Sequence, residues 1–324
     1  MGPHTFRALR LLADGRFHSG ARIARELERS RAAVSETLKG ARELGVEVFS
    51  VPGKGYRLAE PVEFLDAHAI VSRLGPAAAR IRLTLLDEVD STSTRLAGLA
   101  QAGAPSGTCV AAEWQRAGRG RRGRAWQAGL GASLTFSMLW RFDQGPGHLA
   151  GLPLAVAVAA TRALEQSGVP DVGVKWPNDL VHDWKKLGGI LVETTGEMLG
   201  PTAALVGIGL NYRLGEALAG RIDQPATDVA SCGGALPSRN ALLALLLVEL
   251  VAALERFAQG GFAAFRDEWK ARHAYADRSV TVTGGDAASR EVRVVGVAAD
   301  GALLVAADGH TERLTSAEIS LRPA

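Results

Sequence analysis

The sequence predicts an α+β protein of several domains, and three observations predict it. The first 60 residues read as short amphipathic helices closed by a hairpin. The long middle section mixes helical and strand periodicities. The tail alternates apolar and polar positions between turn signals. At 324 residues the chain is long enough for two or three domains of about 100–200 residues each. Apolar residues make up 47% and charged residues 22%, which excludes general disorder.

Taken in order, Thr5–Ala13 reads as a helix stopped by Asp14-Gly15. Ser19 caps a second helix in which Ile23 and Leu27 share a face, and Ser30 caps a third carrying Val34, Leu38 and Ala41. Glu28-Arg29 alone separate these two, so they meet at a tight turn. Val46–Val51 and Tyr56–Leu58 read as strands around Pro52-Gly53-Lys54-Gly55. Helix, turn, helix and β-wing form a DNA-binding arrangement. Arg29, Arg31, Lys39, Lys54 and Arg57 stand where phosphates would lie, beside the hydroxyls of Ser30 and Ser35. Glu36, on the recognition helix, is unfriendly to phosphate but can accept from a cytosine amine. Glu28 occupies a turn position where glycine often sits. The competing reading is a small helical packing domain with a charged face. Charge distribution favours DNA: residues 1–62 carry a net +4 and the remainder −1.

Glu60-Pro61 marks a boundary, so the first domain is 1–62. A second, 63–273, contains strands Thr84–Glu88, Thr108–Trp114, Ser133–Arg141 and Ala203–Leu210 with helices Leu149–Gln166, Asn240–Gln259 and Phe262–His273. A third, 274–324, has hairpin signals at Asp300-Gly301 and Asp308-Gly309, as in a small β-barrel or sandwich. Two cysteines, Cys109 and Cys232, make neither a disulfide framework nor a four-ligand zinc pattern, which favours a reduced cytoplasmic protein. The start lacks a signal-peptide core, and the apolar runs Leu149–Ala160 and Ala241–Leu254 are too broken to span a membrane.

The chemistry concentrates in three places. Gly118-Arg119-Gly120-Arg121-Arg122-Gly123-Arg124-Ala125-Trp126 fits a dinucleotide fingerprint by pattern, yet a strand instead of a helix follows it, so no helix N-terminus holds a pyrophosphate. An RGG-type nucleic-acid segment is disfavoured because the block sits between two strands. A glycine-hinged loop closing on an anion fits best, with Trp126 offering a flat face to a base. In Lys175-Trp176-Pro177-Asn178-Asp179 the proline stiffens the presentation of a cation, an amide and a carboxylate. Lys185-Lys186 then feeds a strand through Gly188 and Gly189, although a Lys-Lys pair alone is more often a solvated turn. Asp90-Ser91-Thr92-Ser93-Thr94 is a helix cap, a cluster of hydroxyls for a polar ligand, or both. No nucleophile–base pair stands out. The site suits chemistry between bound anions.

These motifs, with SRAAVSETL, VPGKGYRL, KWPNDL, KLGGILVE, GIGLN, GALLV and EISLR in order, resemble the bacterial bifunctional biotin–protein ligases that also repress the biotin operon. The resemblance spans essentially the whole chain. It implies a winged helix-turn-helix, a catalytic domain like class II aminoacyl-tRNA synthetases and a small SH3-like β-barrel. It further implies that Ser91, Thr92, Ser93 and Gln115 bind the biotin head, that Arg119, Gly120 and Arg121 close on the ligand, and that Lys186 meets the biotin carboxylate and α-phosphate. Trp126 would stack on adenine, and Lys175, Asn178, Asp179 and Asn211 would line the adenylate and magnesium region. Lys186, Arg119, Arg121 and Lys175 would carry catalysis. ATP and Mg2+ would be required. The implied partners are the biotin carboxyl carrier protein of acetyl-CoA carboxylase, operator DNA and a second copy of the chain when the adenylate is bound. Ser93 departs from the family's usual asparagine. Gly188 replaces an alanine, a change that would loosen the strand entry. A ligand-sensing transcription factor without ligase activity, a lipoate-type ligase, and a ligase with a vestigial DNA arm are the alternatives.

Overall fold

A computed structural model describes residues 4–196, 200–283, 289–307, 309–315 and 320–323. The N-terminal part contains α1 (Thr5–Leu11), α2 (Gly20–Leu27), α3 (Arg31–Lys39), β1 (Val48–Val51) and β2 (Gly55–Leu58). Both expected caps form. Ser19 Oγ accepts from Arg22 N–H, and Ser30 Oγ accepts from Ala33 N–H. Glu28 takes the left-handed conformation between the helices, at φ 55°, so the tight turn forms without glycine. The wing strands pair antiparallel with Val48 opposite Leu58. At Gly55, with φ 102°, a Cβ would lie 2.1 Å from the His18 carbonyl oxygen, so only glycine lets the wing sit against this segment.

The middle part contains, in order, α4 (Ala67–Val71), β3 (Arg82–Val89), α5 (Thr92–Gln101), β4 (Thr108–Gln115), β5 (Ser133–Phe142) and α6 (Leu152–Gln166). It continues with β6 (Gly173–Lys175), β7 (Asp179–His182), β8 (Lys185–Gly196), β9 (Thr202–Asn211), α7 (Glu216–Ala219), α8 (Arg239–Gly260) and α9 (Arg266–Arg272). Among the described residues its strands form one seven-stranded sheet in the order β3-β4-β5-β9-β8-β7-β6. β3 and β4 pair parallel and every other neighbour antiparallel. Period-2 alternation sends Cys109 and Ala111 of β4 into the core shared with α6 and α8, while Val110 faces the opposite layer with Leu96 of α5.

Several sequence boundaries shift. The first wing strand begins at Val48. The helix expected from Leu149 begins at Leu152, because Gly151 at φ 80° breaks the chain there. The run Phe262–His273 divides into a 3-10 turn, Phe262–Phe265, and α9. The short strands β6 and β7 carry no periodicity signal of their own.

A buried polar clasp ties the linker to the middle part. Glu113 and Arg239, 2% and 1% exposed, pair at 2.9 Å, and Glu63 accepts from Ser238, Arg239 and Asn240. Burial of two charges is tolerable only when each finds partners, as here. Leu130 of the middle part is buried in the N-terminal core with Leu44 and Leu38, and its N–H donates to Leu44 O at 2.9 Å.

The C-terminal part has β10 (Ser279–Thr283), β11 (Arg290–Val297), β12 (Leu303–Ala307), β13 (His310–Leu314) and β14 (Ser320–Pro323), in the sheet order β13-β12-β11-β10-β14 with antiparallel neighbours. Asp300-Gly301 lies in the turn between β11 and β12, as expected. Asp308 of the second turn signal and the first residues of EISLR lie outside the described residues. Among the described residues no helix is long and apolar enough to cross a membrane.

Candidate functional site

A cavity of about 460 Å³ opens along β4, β5, β8 and β9, within the usual range for small-molecule sites. Its deep end is built from hydroxyls and one carboxamide. Ser91 caps α5, with Thr94 N–H donating to Ser91 Oγ at 3.4 Å, and it also lines the cavity. Thr92 donates from its backbone and its hydroxyl to Gln115 Oε1 at the end of β4, at 2.7 and 3.1 Å. Ser137 of β5 lies 2.8 Å from Thr92 Oγ1 and 3.0 Å from Ser93 Oγ. Ser137 was not among the expected site residues. Its signal was present: Ser133, Thr135 and Ser137 recur at every second position, on one face of a strand whose other face, Leu134 to Phe142, is apolar.

The glycine-arginine loop forms the rim. One 3-10 turn, Arg121–Gly123, and no longer helix occurs before β5, which removes the dinucleotide reading. Arg119, Gly120 and Arg121 all line the cavity. Arg119 pairs with Glu193 at 3.2 Å, and Arg121 Nη1 donates to Asn178 Oδ1 at 3.1 Å. Burial pushes the Arg121 guanidinium below its ordinary value, and Arg122 adds to this, while Asp179 opposes it. The Trp126 ring lies flat on β9, where a Cβ on Gly209 would approach it to 2.6 Å, and its indole N–H is buried without a partner.

The Lys175–Asp179 turn joins β6 to β7 and brings Lys175, Asn178 and Asp179 to the cavity. Its Trp176–Pro177 peptide bond is cis. Asn178 Nδ2 donates to Ile190 O at 2.6 Å. Lys185 is exposed, but Lys186 is four-fifths buried and pairs with Asp179 at 2.8 Å, so the two lysines have different surroundings. Asn211 donates from Nδ2 to Lys186 O and Thr227 O, while its Oδ1 is buried without a partner. Gly188 pairs with Leu180 on one side and Leu210 on the other, next to a register shift between Leu180 and Val181, and a Cβ there would lie 2.9 Å from Gly209 O.

A segment that sequence reasoning missed closes the other side. Arg221, Asp223 and Gln224 line the cavity. Pro225 O accepts from Lys186 N–H, and Thr227 N–H donates to Lys186 O, both at 2.9 Å. This stretch is irregular, so nothing in its periodicity marks it.

The expected DNA-facing residues lie elsewhere, just before α3, on α3 and on the wing. Arg31, Glu36, Lys39 and Lys54 are exposed, Ser35 is half-buried and Ser30 is engaged as a cap. Arg29 lies against His4 Nε2. Lys39 pairs with Glu36 at 2.9 Å, which offsets that carboxylate's repulsion of phosphate. Lys54 and Arg57 lie over the exposed Phe17 ring.

The arrangement sets a polar, hydroxyl-lined end against a cationic rim with a flat indole ring. Among the described residues no cluster of three or more His, Cys, Asp or Glu could hold a metal ion. The model of the biotin/lipoate A/B protein ligase family matches residues 85–211, a helix-turn-helix domain matches 4–57, and a biotin protein ligase C-terminal domain matches 276–322. The bifunctional ligase/repressor BirA of Salmonella typhimurium is 40% identical over 317 residues, 97% of this chain and 96% of that protein. That of Escherichia coli is 39% identical over the same shares. The structure of the Aquifex aeolicus biotin protein ligase in complex with biotin and ATP covers 75% of this chain and 99% of its own, at 28% identity and a TM-score of 0.63.

Proposed function

The chain belongs to the family of bifunctional biotin ligase/repressors, and we propose how its domains and pocket perform those tasks. It is a biotin–protein ligase with an N-terminal helix-turn-helix repressor domain. Its substrates are biotin and ATP. In the first step an oxygen of the biotin carboxylate attacks the α-phosphorus, the bond to the β-phosphate breaks, and pyrophosphate leaves. In the second the amine of a carrier-protein lysine attacks the acyl carbon, AMP leaves and an amide forms. No covalent enzyme intermediate is needed, in keeping with a site that lacks a nucleophile–base pair.

The observation that carries this reading is the fixed Lys186 between the two halves of the cavity. Asp179 holds Lys186 Nζ at 2.8 Å, next to Arg121 and Asn178. Cations set in advance where charge builds on phosphorus lower the barrier without reorganising during the reaction. Ser91, Thr92, Ser93 and Gln115 bind the biotin ureido head. Arg119, Gly120 and Arg121 cover the adenylate, and excluding water protects a mixed anhydride from hydrolysis. Trp126 stacks on adenine, and Lys175, Asn178, Asp179 and Asn211 face the phosphates.

The oxygen donors fit Mg2+: a carboxylate at Asp179 and a buried carbonyl at Asn211 Oδ1 without a partner. Bound there with ATP, the ion would screen the phosphate charges. The domains run 1–62, 63–273 and 274–324, with a catalytic fold of the class II aminoacyl-tRNA synthetase type and an SH3-like C-terminal barrel. The mixed sheet and the five antiparallel strands support these assignments. Buried free thiols at Cys109 and Cys232 suit a reducing cytoplasm.

The adenylate-bound form dimerises and binds a two-fold operator through Arg29, Ser30, Arg31, Ser35, Glu36, Lys39 and Lys54, since two tethered copies multiply a weak single contact. The biotin carboxyl carrier protein competes for the same form. Biotin-dependent ATP–pyrophosphate exchange, with mass spectrometry of the adenylate retained by the protein, tests the ligase. Lipoate supporting the exchange in place of biotin would overturn the substrate. Ultracentrifugation and operator binding at stated salt, with and without adenylate, test the switch.

A further inference from the structure

β6 is only three residues long and is the edge strand of the large sheet. It nevertheless leads directly into Lys175. Its open edge is covered by the chain leaving α9: Ala274 N–H donates to Val174 O at 3.0 Å, and His273 bridges Val174 in parallel. The next residue, Tyr275, is 1% exposed and places its ring 5.5 Å from Lys175 Nζ. Burial pushes the Tyr275 phenol above its ordinary value, and the negative charge of Asp179 adds to this.

The following residue of the turn is held from the other side. Trp176, 1% exposed, donates from Nε1 to Gly301 O at 3.0 Å, across 125 positions of sequence. Gly301 stands at φ 85° at the tip of the β11–β12 turn, inside the GALLV stretch that the pocket itself leaves unexplained. A Cβ there would lie 2.7 Å from Gly151 Cα, so the tip is seated on the middle part with no room for a side chain.

We infer that the C-terminal sheet and its connector act in adenylate formation as a brace, with Tyr275 and Trp176 as positioning residues that hold Lys175 toward the phosphates of ATP. This rests on the adenylation reading of the pocket. A lysine stem loses considerable rotamer freedom when it is fixed. An aromatic face orients an ammonium from one side, and Asp179, opposite Lys175 across the β6–β7 pair, is itself engaged by Lys186 at 2.8 Å. Lys175 is thus reached by a residue 100 positions away as well as by its own hairpin. The described contacts of the brace run to Lys175 and Gly301, so its contribution falls on ATP.

The test is biotin-dependent pyrophosphate exchange by the full chain, with KM for ATP and for biotin measured separately. Tyr275→Leu removes the ring face and should raise KM for ATP roughly 3- to 30-fold, the range of a cation–π contact of moderate to good desolvation. Tyr275→Phe keeps the face and should stay near the parent. Trp176→Phe, which removes the donor to Gly301, should again weaken ATP and spare biotin. Parent-like KM for ATP in Tyr275→Leu and Trp176→Phe overturns the brace. So does a loss in which ATP, biotin and thermal midpoint fall together, or an equal loss in the Phe and Leu variants of Tyr275. A parent without any biotin-dependent exchange brings down the adenylation reading and the brace with it, an outcome distinct from an active parent with indifferent variants.

Discussion

The two ends of the cavity are built on opposite principles. At the deep end, Thr92, Ser93, Ser137 and Gln115 are all buried, sit on a helix start or on strands, and bond to one another. At the rim, Arg119 and Arg121 to Arg124 sit on a loop with one left-handed arginine, Arg122 at φ 58°, and their charges outnumber the nearby carboxylates. A neutral, rigid head group is met by a socket complete in advance, because a buried polar group without a partner is costly. A cationic rim that Glu193 and Asn178 engage at Arg119 and Arg121 suits a polyanion. Lys186 stands between, held like the deep end and charged like the rim.

Lys186→Ala tests that intermediate position with the largest expected effect. Pyrophosphate exchange should fall on the order of 10²-fold or more while biotin binding persists. Unchanged exchange would return Lys186 to the ordinary surface lysines. Thr92→Val comes next. It removes a hydroxyl shared by Gln115 and Ser137, and biotin affinity should drop roughly 10- to 100-fold as the remaining groups lose a partner. Calorimetric titration with biotin alone reads this, and parent-like affinity would mean the socket is not built in advance. Arg121→Ala should leave stability within about 0.5 kcal/mol, because the loop contributes little packing. Retained adenylate should then be lost about tenfold faster, on the order of one well-placed charge-assisted hydrogen bond. A parent-like decay in a stopped-flow chase would remove the covering role of the loop.

The smallest effect concerns pH. Among the described residues no histidine lines the cavity, so biotin affinity should be flat between pH 7.5 and 5.5. Stability should not be. Burial against Trp269 lowers His273 to about 4 from its ordinary 6.5. Above pH 6.5 the imidazole is neutral folded and unfolded, and its full contribution is present. Below that, the unfolded chain takes up a proton that the folded protein refuses, so stability is lost progressively until about pH 4. Between pH 7.5 and 5.5 the loss should be about 1 kcal/mol. Chemical denaturation of the parent and of His273→Phe checks it, since the variant should lose this slope.

Much of the molecule was legible before any coordinates. Ser19, Ser30 and Ser91 cap helices because an N-cap needs only a hydroxyl and an N–H three residues on. The strands β3, β4, β5 and β9 declared themselves by apolar content, and the Lys175–Asp179 turn by its proline. These are interactions within a few residues, and the local chain carries all the information they require. What the tertiary structure alone decided lies between distant residues. Ser137 meets Thr92 across 45 positions, Glu113 meets Arg239 across 126, and Trp176 meets Gly301 across 125. No period or cap announces such pairs, because the register of a seven-stranded sheet and the seating of the C-terminal turn bring them together. The chemistry of the site was written in the residue types, and its geometry arose only when the chain closed on itself.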